Sequence, residues 1–389
     1  MLPTANQERQ LMAEVPVNGK VLEWAREIRG LSLQEAAALL RISTTELGDL
    51  ESGVQKPQVG ILRQMAAKYR INFAALLMPE PLRRRKLPTD YRRRLGSASL
   101  SVDTYVAIEE VYEALEIFKD ISATRKLPVR KPKLVRATLR DNPEELAAQE
   151  RRKFGVTMEV QRSWKHLYKA RIEWRKKIEE RGVFTYMLPL PKDELSGFSV
   201  FHDDFAAICV NDRESTEGAK IFTFLHEYCH LLLRRAGISD EQNGNSIEKF
   251  CNQFAAGCLI PQVQLAAVVK MIFGDVDLPY DFSDRDVKRL SNYFLVSNRA
   301  MALRLEKTGL APNGFYARRT LPWDLPAEKR PVKPDSEPNP VRIRYKQMGQ
   351  LHTSTVLEAV KRNAINSVDA ADLIGMRPQF FPKLEALLG

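Results

Sequence analysis

The stretch Phe222-Thr-Phe-Leu-His-Glu-Tyr-Cys-His-Leu-Leu-Leu233 limits the possible folds more than any other part of this chain. Ile221, Phe222, Leu225, Leu231 and Leu232 predict a buried helix over Lys220–Leu233. On such a helix His226 and His230, four residues apart, share one face with their Cβ atoms about 6 Å apart. Imidazoles in an apolar interior are costly unless their nitrogens find partners. Chance is a poor explanation: with five histidines in 389 residues, a His-Glu-x-x-His arrangement is expected on the order of 0.005 times per sequence. A shared cation satisfies both rings, and Zn²⁺ is its natural occupant, held by three protein ligands with one position left for water. Glu227 projects beside the first histidine, where it can take a proton from that water and later return it to a leaving amine.

The fold must then bring a third ligand to the pair. Ile247–Leu259 reads as a second strongly helical segment, with Glu248 near its start and Asn252 one turn further along the same face. A carboxylate ligand with an amide that orients a ligating histidine is a sensible zinc arrangement. Glu241, in the polar loop Ser239–Gly244, is the rival ligand. His202, between two predicted strands, is a candidate donor to a developing oxyanion, set against the plainer reading of an exposed loop histidine. Cys229 is read as a buried thiol.

At 389 residues the chain is too long for one ordinary core,. Short helices are expected over Val21–Arg29, Ser32–Leu40, Thr44–Glu51, Val59–Tyr69 and Phe73–Met78, with Ser32 and Glu35 as a capping box. A Pro- and Arg-rich crossing follows, then helical spacing in Tyr105–Phe118 and Pro143–Phe154 and one long stretch from Met158 to Glu180. The pattern turns to β at Gly182: Val183–Leu190, Phe198–Phe201 and Ala206–Val210 predict a small sheet. Helices are expected again at Asp284–Phe294 and Asn298–Lys307, and short ones around Val356–Lys361, Asp369–Ile374 and Phe380–Leu388. The expected class is α+β, mostly helical. Its division is a bundle of short helices over 18–79, a basic helical connector over 80–181, a domain that carries the histidine pair over 182–312, a Pro- and charge-rich linker over 313–345, and a small helical module over 346–389; the resemblances given below identify the first as a helix-turn-helix domain and the third as a zinc peptidase domain.

The net charge of +11 suggests nucleic acid until it is located,. Residues 1–80 are balanced, whereas residues 81–181 carry 26 basic against 15 acidic side chains, which is the whole excess. No run of about 18 apolar residues is present to span a bilayer. The N-terminal residues lack the pattern of an export signal, and the four cysteines have no framework spacing. Together these features point to the cytoplasm.

Phe222–Leu233, followed by Glu248-Lys-Phe-Cys-Asn-Gln-Phe-Ala-Ala-Gly-Cys-Leu-Ile-Pro261, resembles the ImmA/IrrE metallo-endopeptidases. Gly197-Phe-Ser-Val, Ile208-Cys-Val-Asn211 and Val296–Leu305 extend the likeness, so that it covers roughly residues 182–312. The resemblance implies a gluzincin-like fold, zinc held by His226, His230 and Glu248, Glu227 as general base, and cleavage of a helix-turn-helix repressor in a mobile-element or stress response. Tyr228-Cys229 departs from the family, in which Leu-Gly is commonest there. Val21–Met78 resembles an Xre-type helix-turn-helix, with Thr44–Glu51 as its reading helix. Glu46, Asp49 and Glu51 on that helix would be repelled by a polyanion, so two readings stay open. The domain pairs with another protein's helix-turn-helix or with its own copy as a homodimer, or it sits on DNA with phosphate contacts from the connector. The rival to a working peptidase is a DNA-binding regulator or toxin–antitoxin component with a dormant or structural zinc site.

Overall fold

The computed structural model describes residues 13–81, 100–124, 127–191, 194–234, 244–320 and 339–388. The chain divides into two compact units, Met1–Glu110 and Val111–Gly389, and the mostly helical α+β class is observed.

In the first unit, α1 (Gly19–Glu27), α2 (Leu33–Leu40), α3 (Thr44–Ser52) and α4 (Val59–Lys68) are followed by a 3-10 turn at Phe73–Leu77. Each boundary has a local cause. Ser32 and Glu35 form both bonds of a capping box at the start of α2, and Arg41 ends that helix in the left-handed conformation. Ser43 caps α3 and Gly53 terminates it. Leu22, Leu40, Leu47, Leu62, Met65 and Tyr69 fill the core. One sequence expectation is corrected: Glu51 is not on the outward face of α3. It is buried, and Arg26 Nε and Nη2 donate to its two oxygens at 2.8 Å each. Glu46 and Asp49 remain as the carboxylates of that helix's partly exposed surface.

The helix α5 (Val102–Ala123) contains the division between the units. The second unit continues with α6 (Pro143–Phe154), α7 (Met158–Ser163) and α8 (Leu167–Glu180). The single helix expected over 158–180 is broken: Lys165 takes a left-handed φ of 62°, which lets buried Trp164 turn edge-on to Trp174 at 5.6 Å. Not all of the connector's basic residues are solvated. Arg151 donates to the carbonyl of Cys258 and to Gln161, and Arg175 is buried as well. The runs Arg83–Lys86 and Arg92–Arg94 lie outside the described residues.

Three strands follow, β1 (Val183–Leu188), β2 (Gly197–His202) and β3 (Phe205–Asn211), in the order β1-β3-β2. β1 is parallel to β3, and β2 is antiparallel to it through the two-residue turn at Asp203-Asp204. The remaining helices are α9 (Glu217–Leu232), α10 (Gly244–Leu259), α11 (Gln262–Phe273), α12 (Asp284–Phe294), α13 (Asn298–Lys307), α14 (Phe315–Thr320), α15 (Pro340–Lys361), α16 (Ser367–Ile374) and α17 (Phe381–Glu385). Of these, α11 was not expected, and α14 and the start of α15 fall in the stretch read as linker. Glu241 and residues 321–338 lie outside the described residues. Phe154, Trp174, Val183, Ile208, Phe224 and Phe254 share one core, so α6 and α8 pack in common with the sheet, α9 and α10. Among the described residues no single helix is long and apolar enough to cross a membrane.

α15 packs along β1 and breaks at Gly349, whose φ of 81° and ψ of 168° are non-helical. A buried ion pair repairs the break. Glu179 Oε2 accepts the backbone N–H groups of Gln350 and Leu351 at 3.1 Å each. Arg175 donates to the Lys346 carbonyl on the other side of the break and to the Thr185 carbonyl in β1. A Cβ at position 349 would lie 2.6 Å from Arg175 Nη2 and 2.7 Å from the Thr185 carbonyl oxygen. Gly349→Ala is therefore expected to cost about 3 kcal/mol, combining backbone strain with overpacking, read as a lower urea midpoint with unchanged slope; an unchanged midpoint would refute this account of the break.

Candidate metal centre

Thr216 caps the start of α9 by accepting the Ala219 N–H at 3.1 Å, and Glu217 in the first turn suits the positive end of the helix dipole. Three turns on, His226 and His230 face one point, their Nε2 atoms 3.1 Å apart. α10 packs across α9 and delivers Glu248, whose Oε2 lies 3.1 Å from His226 Nε2 and whose Oε1 lies 3.3 Å from His230 Nε2. Ligand atoms at 2.0–2.1 Å from a tetrahedral zinc are separated from one another by about 3.3 Å. The two ring nitrogens, and each ring nitrogen with one of the two Glu248 oxygens, thus already stand near the spacing of ligands around one ion.

The electrostatics agree. Burial alone would push the His226 ring down, but its hydrogen bond to Glu248 and the charge of Glu227 outweigh it, and the net shift is upward. Burial would raise the Glu248 carboxyl, yet its bonds to His226 and His230 hold it far below the usual carboxylate range. The centre draws positive charge, either protons or a cation. His226 Nδ1–H donates to Asn252 Oδ1 at 3.0 Å, which fixes the tautomer that leaves the Nε2 lone pair facing Glu248.

Glu227 belongs to the same cluster, with a carboxylate oxygen within 4.8 Å of the ring nitrogens. The residue is buried and its Oε2 has no hydrogen-bond partner. Leaving such an atom unsatisfied costs about 1–3 kcal/mol, which is reasonable only where something else is to be bound. β2 passes close beside it at Gly197: a Cβ there would come within 2.6 Å of Thr223 Cγ2 and 2.7 Å of the Cys209 carbonyl oxygen, and would touch Glu227 Cγ at 3.5 Å.

The two residues that depart from the family's usual pair have partners in the core. Tyr228 points away from the centre and donates to the fully buried Glu150 at 2.8 Å. Burial pushes the Cys229 thiol well up, and Cys251 on α10 beside it adds to the shift, so Cys229 stays protonated. Glu150 and Cys251 were not found from sequence, because nothing local marks a residue whose partner is 78 or 22 positions away.

The expectation for His202 is corrected. It is neither a loop histidine in solvent nor a member of this cluster. It is buried at the end of β2 and bonded to Glu116 of α5, with the Tyr112 ring 5.4 Å away. Gly197 marks where β2 passes Glu227, and five residues at about 3.3 Å each carry His202 about 16 Å further along the strand. Its ring is beyond reach of an oxyanion at the centre. His352 is a core residue: burial, with the charge of Arg344, pushes it down to about 3.

Removing the amide behind His226 frees that ring to rotate. Asn252→Ala is expected to weaken metal affinity about 10- to 100-fold, measured by chelator competition, with folding retained. Gly197→Ala is expected to lower stability by about 1–3 kcal/mol, because the added Cβ meets Thr223 and the Cys209 carbonyl,; a variant of full stability would show that the close approach of β2 to α9 is unimportant.

Residues 178–306 match the family model of the IrrE N-terminal-like domain, and residues 22–76 match that of a helix-turn-helix. No curated protein matches the chain. The first segment contains both histidines, Glu227, Glu248 and Asn252, and the second contains α1 to α4 in full or in part. The chain thus carries a metallopeptidase domain of the IrrE N-terminal-like family behind a helix-turn-helix domain, which matches the resemblance to ImmA/IrrE metallopeptidases with an Xre-type helix-turn-helix.

Proposed function

We propose that this chain is a zinc-dependent endopeptidase that regulates gene expression by cutting a helix-turn-helix repressor. The observation that carries the reading is the convergence of His226, His230 and Glu248, with contacts of 3.1 to 3.3 Å, next to a buried carboxylate oxygen without a partner on Glu227. His226, His230 and Glu248 would hold the ion. Bound there, Zn²⁺ supplies Lewis acidity, lowering the pKa of water and polarising a scissile carbonyl. Two imidazoles and a carboxylate suit Zn²⁺, although they also accept Mn²⁺ or Fe²⁺.

The chain's own residues do the rest. Glu227 Oε2 accepts the proton of the attacking water and passes it to the departing amine, so that one carboxylate serves both steps. Asn252 keeps His226 in its ligating tautomer. A site meant only to brace the fold has no use for a base with an open oxygen beside its ligands.

The helix-turn-helix bears on where the enzyme acts. With Glu51 withdrawn into its pair with Arg26, α3 opposes a phosphate backbone less than its sequence suggests, which supports DNA as a partner beside the repressor. Binding to its own promoter that persists in a His226→Ala, His230→Ala double variant would separate this role from proteolysis.

Glu227→Gln tests the chemistry with little change in shape. It is expected to keep one metal ion per chain while cleavage of a co-expressed helix-turn-helix repressor, followed by gel and mass spectrometry, falls about 100- to 10,000-fold. Cleavage at the parental rate would remove Glu227 from the mechanism. An intact repressor with the parental protein would remove the repressor as substrate.

A further inference from the structure

Away from the metal centre, the ends of α7, α11 and α12 enclose a surface cavity of about 410 Å³, lined by Arg162, Lys165, Met271, Ile272, Arg289, Asn292, Tyr293 and Leu295. Three of the eight residues are cations and none is an acid. The usual reasons for surface cations do not account for them. Among the described residues Arg162, Lys165 and Arg289 form no ion pair, and no side-chain donor of theirs reaches a helix C-terminal carbonyl, although three helices end nearby. The lining holds no carboxylate, although Glu159 acts on Arg162 from outside it; cations gathered in this way repel one another, and a bound anion relieves that cost.

The three side chains are also positioned. The Arg162 guanidinium lies 4.3 Å from the centroid of the Tyr293 ring, and Arg289 lies 6.0 Å from that of Phe273; such stacking leaves the N–H edge of a guanidinium free to donate. Lys165 enters from the left-handed residue that breaks the 158–180 helix, a conformation uncommon for a lysine. The floor is different in character: Met271, Ile272 and Leu295 are apolar, and Asn292 adds an amide able to pair with a polar ring edge,. The volume is that of a small-ligand pocket.

We propose that this cavity binds a nucleotide, with its phosphates held by Arg162, Lys165 and Arg289 and its base laid on Met271, Ile272 and Leu295 beside Asn292. Fork-shaped guanidinium groups match phosphate oxygens, and an apolar floor suits a planar ring. A compact cluster of three cations fits a single nucleotide better than a continuous nucleic-acid backbone, which needs an extended charged track.

The test is calorimetric titration of ADP into the full-length, metal-loaded protein, without added magnesium, at two salt concentrations. The expected result is saturable binding with one site per chain that weakens as salt rises. Arg162→Gln and Arg289→Gln should each lose about tenfold or more in affinity, while metal content, thermal midpoint and repressor cleavage stay at parental values. All three groups are at the surface, so folding is not at risk. Absence of saturable binding, or equal affinity in both variants, overturns the proposal. Inorganic phosphate binding as tightly as ADP would also overturn it, since the floor would then contribute nothing. So would a short DNA duplex that displaces ADP and loses affinity in the same variants, which would assign the cations to a nucleic-acid surface.

Discussion

Glu248 meets His226 and His230 only because α10 packs across α9, and the chemistry of the second unit depends on that crossing. Neither helix is a site alone. Without the carboxylate, two neutral rings would face each other across 3.1 Å with little to hold a cation; without the rings, Glu248 would be one more half-exposed acid. The crossing also sets the electrostatics, because Glu248 and His226 each shift the other toward its charged form,.

Such a crossing must be held rigidly, since ligand atoms displaced by a few tenths of an ångström lose a metal's preferred geometry. The far end of α10 shows how this is done. Its last carbonyls, and that of Ile260 beyond it, would be orphaned at a helix C-terminus. Instead Arg151 donates to the Cys258 carbonyl, Gln161 Nε2 to that of Leu259 at 3.1 Å, and Arg304 Nε to that of Ile260 at 2.9 Å. Arg304 is itself gripped by both oxygens of Glu144. Two cations at the negative end of the helix dipole suit its sign as well as its hydrogen bonds. Arg151 and Gln161 of the connector, which resembles a nucleic-acid surface in composition, are thus engaged in fixing the ligand-bearing helix.

The sequence reveals most where function is local. Histidines at i and i+4 with a glutamate after the first, and a carboxylate and amide four apart, each need only a helix to become a geometry, and both helices form. Capping residues such as Ser32 and Glu35 likewise mark their own turns. The readings that fail depend on distant contacts. His202 was placed by its position between two strands, but the strand's direction past Glu227 decides its role, and that direction comes from pairing with β3. Glu51 looks solvated on a helical wheel until Arg26, 25 residues away, takes both its oxygens. The break at Lys165 follows from Trp164 seeking Trp174, a tertiary preference that overrides helical periodicity.

The same contrast explains the departure at Tyr228-Cys229. These residues lie between the two ligating histidines, so any change there could be expected to disturb the centre. A helix, however, turns consecutive residues to different faces. With His226 and His230 directed toward α10's carboxylate, Tyr228 must project into the core, where its hydroxyl meets Glu150 and its ring lies 5.1 Å from that of Phe154. A buried carboxylate needs donors, and Glu150 has two, Tyr228 and Lys153 at 2.6 Å. The departure is therefore a feature of how α6 is fastened to α9, and the ligand geometry is insulated from it by the helix period itself.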